Sequence, residues 1–268
     1  MTALAHPAQH LLDQPDGFRI EVDASRERAD IILDRPPLNV VSMEERDQLR
    51  AAFEALDADE RVRVIVLRAA GQHFSSGGDI AGFLAASPEQ VSQLAWNVAA
   101  PERCAKPVIA ANRGYAFGVG FELSLACDFR IASETARYAL PEQRLGQIPG
   151  SGGSARLQKM IGIARTKDIV LRSRRIDARE ALAWGIVVQC VPDGELEQAT
   201  DALVDELRAF SPLAQRTAKR LLNDGENAPL SVAIELEGHC YSRLRTSDDF
   251  REGVTAFKEK RKARFRGT

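Results

Sequence analysis

A β-branched run that ends in small residues and passes at once into a helix restricts the fold of this chain more than any other feature. "VRVIVLRAAGQHFSSGGDI" (62–80) and "KPVIAANRGYAFGVGFELSLA" (106–126) both show it. Nearly continuous apolar β-branched runs are the pattern of strands buried on both faces. Strands that alternate with loops and helices give an α/β fold. Two further strands are predicted at "FRIEVD" and "ADIILDR", followed by the turn-forming "RPPLN". Ser42 and Glu45 then match a capping box, in which the serine accepts from a backbone N–H of the first turn and the glutamate reaches back to the serine's own N–H. Leu49, Phe53 and Leu56 follow at helical spacing, so a helix is expected over 42–57. Helical sequence is expected after the 71–79 loop through about 104, and "GYAFGVG" reads as a loop entering a helix near Val119.

Beyond about residue 193 the strand signal ends. "ELEQATDALVDELRAF", "SPLAQRTAKRLLND", "PLSVAIELEGHCYSRLRT" and "SDDFREGVTAFKEKRKARF" all read as helices. Ser247 caps the last, with Phe250, Val254 and Phe257 as a stripe at i, i+4, i+7. The expected organisation is a flexible tail at 1–16, an α/β core over 17–192 and a helical region over 193–268.

Length and charge narrow the function. A chain of 268 residues, 44% hydrophobic, can bury one large core. A formal net charge of −2 argues against broad attraction to nucleic acid or to an anionic membrane. No stretch approaches the ~20 apolar residues of a membrane span. The start lacks the basic region and apolar run of a signal peptide. Cys104, Cys127, Cys190 and Cys240 stand far apart with no CxxC pair, which reads as a reduced protein without a disulfide or zinc framework. A cytoplasmic protein is expected.

The glycine-rich loops invite a nucleotide reading, and the strings do not support it. GxxxxGK[ST] is absent, the GxGxxG pattern fails at Leu123, and Gly150 to Ser154 has the wrong register for GxSxG. What remains is geometric. Each loop delivers small residues to the start of a helix, where backbone N–H groups are unpaired and point outward. Two such ends brought together would offer two donors to one developing oxyanion. The second loop also carries Glu122, and Glu142 follows twenty residues later in "LPEQ". By itself each acid is what the first turn of a helix favours. His73 beside Ser75 and Ser76 reads as structural, Asp128 as a turn former, Trp184 as core and the basic C-terminal run as a complement to a helix dipole.

In order along the chain, "LDRPPLNV", "FSSGGDI", "KPVIAANRGYAFGVGFELSLACDFRIAS", "LPEQRLGQIPGSGGSARL", "RIDAREALAWGIV" and "SDDFREGVTAFKEKR" resemble the successive landmarks of the enoyl-CoA hydratase/isomerase (crotonase) superfamily. The resemblance covers the chain from about residue 17 to its end. It implies a spiral of ββα units with a C-terminal helical region that builds trimers or hexamers, and an acyl-CoA thioester as small-molecule partner. Coenzyme A enters as part of the substrate, with no separate cofactor and no metal. It implies an oxyanion hole made by the backbone N–H groups of Ser76 and Val119, where the family often has alanine and glycine. The valine would reshape the acyl pocket. Gly77, Gly78, Asp79, Ile80 and Gly118 are implied contacts for CoA or substrate, and Phe257 and Lys260 are implied to reach the CoA adenine or phosphate, in a neighbouring subunit if not in their own.

The resemblance also implies roles for the acids. Glu142 would protonate the α-carbon of an enolate, and Glu122 would hold and activate water. Retention of both tilts the expectation to a hydratase acting on an enoyl-CoA or dienoyl-CoA. The alternatives are other enolate chemistry, such as isomerisation, dehydration or thioester or C–C cleavage, and a scaffold that binds acyl-CoA or RNA without turnover. The short "RPPLNV" segment resembles dienoyl-CoA hydratases of aromatic degradation.

Overall fold

The computed structural model describes residues 15–268. Nearly all of the tail expected at 1–16 therefore lies outside the described residues. Asp16 is held in place, with its carboxylate 2.6 Å from Arg35 and bonded to the Ser42 hydroxyl.

The strands form two sheets, one of six strands and one of three. In the larger, β1 (Phe18–Asp23) pairs antiparallel with β2 (Arg28–Leu33). Parallel to β2 follow β3 (Val64–Ala69), β4 (Val108–Asn112), β6 (Phe129–Ser133) and β9 (Gln189–Val191). The smaller contains β5 (Tyr115–Phe117), β7 (Arg137–Ala139) and β8 (Ile176–Asp177). Isolated bridges join Ser75 to Ala116 and Val41 to Gly78. Each turn of the chain thus gives one strand to the first sheet and a shorter extended piece to the second before a helix. This is the ββα spiral expected. β5, β6, β7, β8 and β9 were not foreseen, because strands of two to five residues carry too few side chains to show a period.

The helices follow the turns: α1 (Met43–Ala58), α2 (Ile80–Ala85), α3 (Pro88–Ser92), α4 (Leu94–Val98), α5 (Ala100–Arg103), α6 (Val119–Ala126), α7 (Gly153–Leu171), α8 (Ala178–Ala183), α9 (Leu196–Arg208), α10 (Pro212–Gly225), α11 (Leu230–Leu244) and α12 (Asp248–Glu259). The capping box of Ser42 and Glu45 is present, with bonds of 3.0 and 3.3 Å. The helical stretch expected up to 104 is four short helices instead. Pro88 and Pro101 each sit in a first turn, where proline is tolerated, and neither could continue a preceding helix. Ser247 caps α12 as expected.

The main core lies between the sheets and the inner helices and includes Ile31, Phe53, Leu67, Phe74, Phe121 and Tyr138. A second cluster packs α9 on the other face of the large sheet through Val64, Ile109, Leu196 and Val204. The four cysteines are free. Asp128 does order backbone, accepting from the Val108 N–H at 2.7 Å, and also from Lys219 Nζ at 2.7 Å. Trp184 is partly buried against the core under the guanidinium groups of Arg165 and Arg174. His73 stacks on Tyr115 and accepts from its N–H through Nδ1, which is a structural use.

Candidate active site

Two loops meet where the second sheet begins. The Ser75 N–H donates to Tyr115 O, and Phe117 N–H donates back to Ser75 O at 2.9 Å. This ladder sets Ser75–Asp79 beside Phe117–Val119. At Gly120 a Cβ would stand 2.6 Å from the Ser75 Cβ, so only glycine lets the start of α6 pack this closely on the neighbouring loop. Gly118 has φ 51 and ψ −127, a conformation open to glycine and little else. It turns the chain from β5 into α6.

The N–H groups of the first loop can be followed one by one. Ser76 donates to Leu38 O at 2.9 Å, Gly77 to the Ser75 hydroxyl at 3.1 Å, and Asp79 to Val41 O at 3.1 Å. The expected role of Ser76 in an oxyanion hole is therefore corrected, because its N–H is spent on the Leu38 carbonyl. Gly78 lies between two such bonds, and its N–H has no acceptor among the described residues. Gly77, at φ 120, breaks the regular alternation between the Ser76 and Asp79 bonds, so the Leu38–Val41 segment takes the N–H groups on either side and leaves that of Gly78 unused. Val119 opens α6, and its N–H is likewise without an acceptor, as a first-turn donor should be. Gly78 and Val119 are thus the free pair.

Both acids are at this junction. Glu122, 3% exposed, lies in the first turn of α6 and accepts through Oε1 from the N–H groups of Ser151 (2.8 Å) and Gly153 (3.1 Å). Glu142 begins a short 3₁₀ turn after Pro141. Its Oε1 lies 3.2 Å from the position of a Cβ on Gly118, and its buried Oε2 has no hydrogen-bond partner among the described residues. Burial pushes the Glu142 carboxyl up to about 7, and the charge of Glu122 adds to the effect. Near neutrality Glu142 can hold a proton or release it.

The other predicted residues divide. Gly77 approaches Phe117 O, Asp79 caps α2 through the Ala81 N–H, and Ile80 is 56% exposed beside the loop. Phe257 is 86% exposed on α12 and Lys260 caps that helix in the left-handed region. Neither is brought to the glutamates by this chain. No grouping of three or more His, Cys, Asp or Glu side chains suited to a metal occurs among the described residues. A separate groove of about 710 Å³ runs between α6, α7 and α10, lined by Leu125, Met160 and Leu222 among others, and the two glutamates are not part of it.

Sequence reasoning missed two components. The backbone donors Ser151 and Gly153 hold Glu122, and "GSGG" was weighed as a nucleophile motif and as part of a family landmark, not as a source of donors. Arg46 is 2% exposed, three residues before Leu49 on the buried face of α1. A cation at a core position was the available signal.

The enoyl-CoA hydratase/isomerase family pattern matches residues 25–268. A probable enoyl-CoA hydratase of Rhizobium meliloti (strain 1021) is 40% identical over 250 residues, covering 88% of this chain and 93% of that protein. A carnitinyl-CoA dehydratase of Proteus mirabilis (strain HI4320) is 34% identical, with 89% and 94% covered. The crystal structure of an enoyl-CoA hydratase from Bacillus anthracis superposes with a TM-score of 0.89 at 33% identity, covering 94% of this chain and all of that one.

Proposed function

Because this chain belongs to the enoyl-CoA hydratase/isomerase family, we propose that it hydrates the α,β double bond of an enoyl-CoA, with Glu142 and Glu122 as its acid and base. The observation that carries this reading is the Glu142 carboxyl, buried, with a free oxygen, set against Gly118 and titrating near 7. The thioester oxygen accepts from the N–H groups of Gly78 and Val119. Water held at Glu122 attacks the β-carbon and gives its proton to that carboxylate. The electron pair of the double bond moves through the α-carbon to the thioester oxygen, as an enolate stabilised by the two donors. Glu142 then delivers its proton to the α-carbon as the carbonyl re-forms. A proton passes from Glu122 back to Glu142 before the next turnover.

Dehydration is the same path reversed, and the similarity to a carnitinyl-CoA dehydratase keeps that direction in view. Coenzyme A arrives on the substrate, held by the Gly77–Ile80 loop, and the chemistry uses no other cofactor. Exposed apolar side chains on the C-terminal helices, including Leu222, Leu230 and Phe257, supply the surface of a homotrimer or a pair of trimers. Such packing is how Phe257 and Lys260 would meet a neighbour's CoA. Among the described residues no helix is long and apolar enough to cross a membrane, and a cytoplasmic location is part of the proposal.

The test is loss of enoyl-thioester absorbance with crotonyl-CoA and a panel of branched and cyclic enoyl-CoAs, for the wild type, Glu142→Gln and Glu122→Gln. Hydration that drops ~10²-fold or more in both variants supports the paired acids. Binding without hydration of any substrate would move the function to isomerisation or to a scaffold.

A further inference from the structure

Arg46 is buried without a bonded counterion. Its Nε has no hydrogen-bond partner, and its guanidinium forms no ion pair with any described residue. A buried charge with no bonded partner is strongly unfavourable, so such groups are ordinarily paired. The position is also specific. A Cβ on Gly78 would collide with Arg46 Nη2, so the guanidinium occupies the space left by the absent side chain of a proposed oxyanion donor. Phe83 supports one face of it, with the guanidinium carbon 4.8 Å from the ring centroid. Stacking of this kind leaves the in-plane N–H donors available. Burial lowers the group to about 10, opposed by the charges of Glu122 and Glu45, neither of which is bonded to it, so it stays protonated at neutral pH.

Neighbouring polar groups do not supply the missing partner. Glu45, the adjacent acid on α1, already accepts from the Ser42 N–H and pairs with Arg35. Glu122 is engaged by Ser151 and Gly153. A neutral hydroxyl or carbonyl on the ligand would satisfy a donor and leave the charge unmatched. A carboxylate satisfies both, through two parallel N–H···O bonds.

We infer that Arg46 selects acyl groups that carry a second carboxylate, so that the substrate is the mono-CoA thioester of a short unsaturated dicarboxylic acid. The chain is short because the guanidinium rests against Gly78, and the carboxylate must therefore lie only a few bonds from the thioester carbonyl. Arg46 binds substrate and takes no proton, so it sets specificity. The inference rests on the hydratase reading for which thioesters turn over, and its binding arm is independent of it.

The experiment pairs isosteric probes. Binding of glutaryl-CoA and hexanoyl-CoA is measured by calorimetry, and hydration of glutaconyl-CoA and 2-hexenoyl-CoA by absorbance, for the wild type, Arg46→Met and Arg46→Lys. The expected result is a wild-type preference for the carboxylated member of each pair of at least ~10²-fold, because the unmatched analogue leaves the buried cation unpaired. Arg46→Met should abolish or invert that preference, and Arg46→Lys should retain part of it. Equal wild-type binding of glutaryl-CoA and hexanoyl-CoA overturns the inference, whether or not the variants fold. So does a preference that survives in Arg46→Met, or an equal loss of turnover on both substrates with binding unchanged. A glutaryl-CoA preference lost in Arg46→Met, with no hydration of either enoyl thioester, supports the role of Arg46 and removes the hydratase reading alone.

Discussion

Glu142 and Gly118 face each other so closely that a side chain on the glycine would meet the acid: a Cβ there would lie 3.2 Å from Glu142 Oε1. The left-handed turn that aims the Val119 N–H and the absence of a side chain in front of the acid are thus one feature. Gly118→Ala would impose an L-residue on φ 51, ψ −127, at a cost of ~1–3 kcal/mol, and would displace the carboxylate. Turnover is expected to fall ~10²-fold, since misplacement of a reacting group by about 1 Å costs that much. A variant with wild-type kcat and melting temperature would contradict this account of the turn.

The pH dependence of the reaction follows from burial of Glu142. Its carboxyl titrates at about 7 instead of the ordinary 4.5. Hydration needs the protonated form, so kcat/KM for hydration should hold steady at mildly acid pH and fall as pH rises through about 7. Dehydration needs the carboxylate and should rise over the same range. Stability has the sign of a raised acid: the folded chain keeps a proton that the unfolded chain loses, so folding weakens between about 4.5 and 7 and is then level. Rate profiles in both directions would check the assignment. A hydration rate that climbs through pH 7 would reverse the roles of the two acids.

Glu122 serves structure and chemistry at once, and two substitutions separate them. Glu122→Gln keeps a carbonyl oxygen able to accept from Ser151 and Gly153, so the melting temperature should change little while kcat drops ~10²–10⁴-fold. Glu122→Ala leaves two buried donors without an acceptor, each worth ~1–3 kcal/mol, and should lose stability as well as rate. Equal melting temperatures for the two variants would show that these bonds contribute nothing to folding.

Much of this was legible in the sequence because it rests on local pattern. The capping box at Ser42, the apolar runs of β3 and β4, and the cap of α12 at Ser247 each depend on a few adjacent residues. The acids could be picked out only through the motifs that carry the family resemblance, since by itself each is what a first helical turn favours. Which loop N–H is free could not be read, because it depends on Leu38 and Val41, brought in from another turn of the spiral. Ser76 and Gly78 are two residues apart in one strand-like segment, and the register of that distant pairing alone decides between them. Arg46 was hidden for a related reason. Helical periodicity shows that a position faces inward, but not whether it faces packed side chains or the space above a glycine.

The helical region is joined to the core by a buried lysine. Lys219 on α10 donates to the carbonyls of Pro101 and Lys106 and to Asp128, at 2.7–2.9 Å. Asp128 is raised by burial, and Lys219 opposes that shift. Lys219→Met would strand the carboxylate, and breaking one side of such a pair costs ~3–5 kcal/mol. The Asp128 carboxyl should then titrate higher still, so the penalty must grow as pH rises past the already raised titration of the wild-type carboxyl and be smaller in acid. Adding Asp128→Asn should restore part of the loss, since the amide needs no counterion. Urea unfolding of the two variants at pH 4.5 and pH 7.5 tests this. If the loss is the same at both pH values and the second substitution restores nothing, the junction is held by packing of α10 and not by the ion pair.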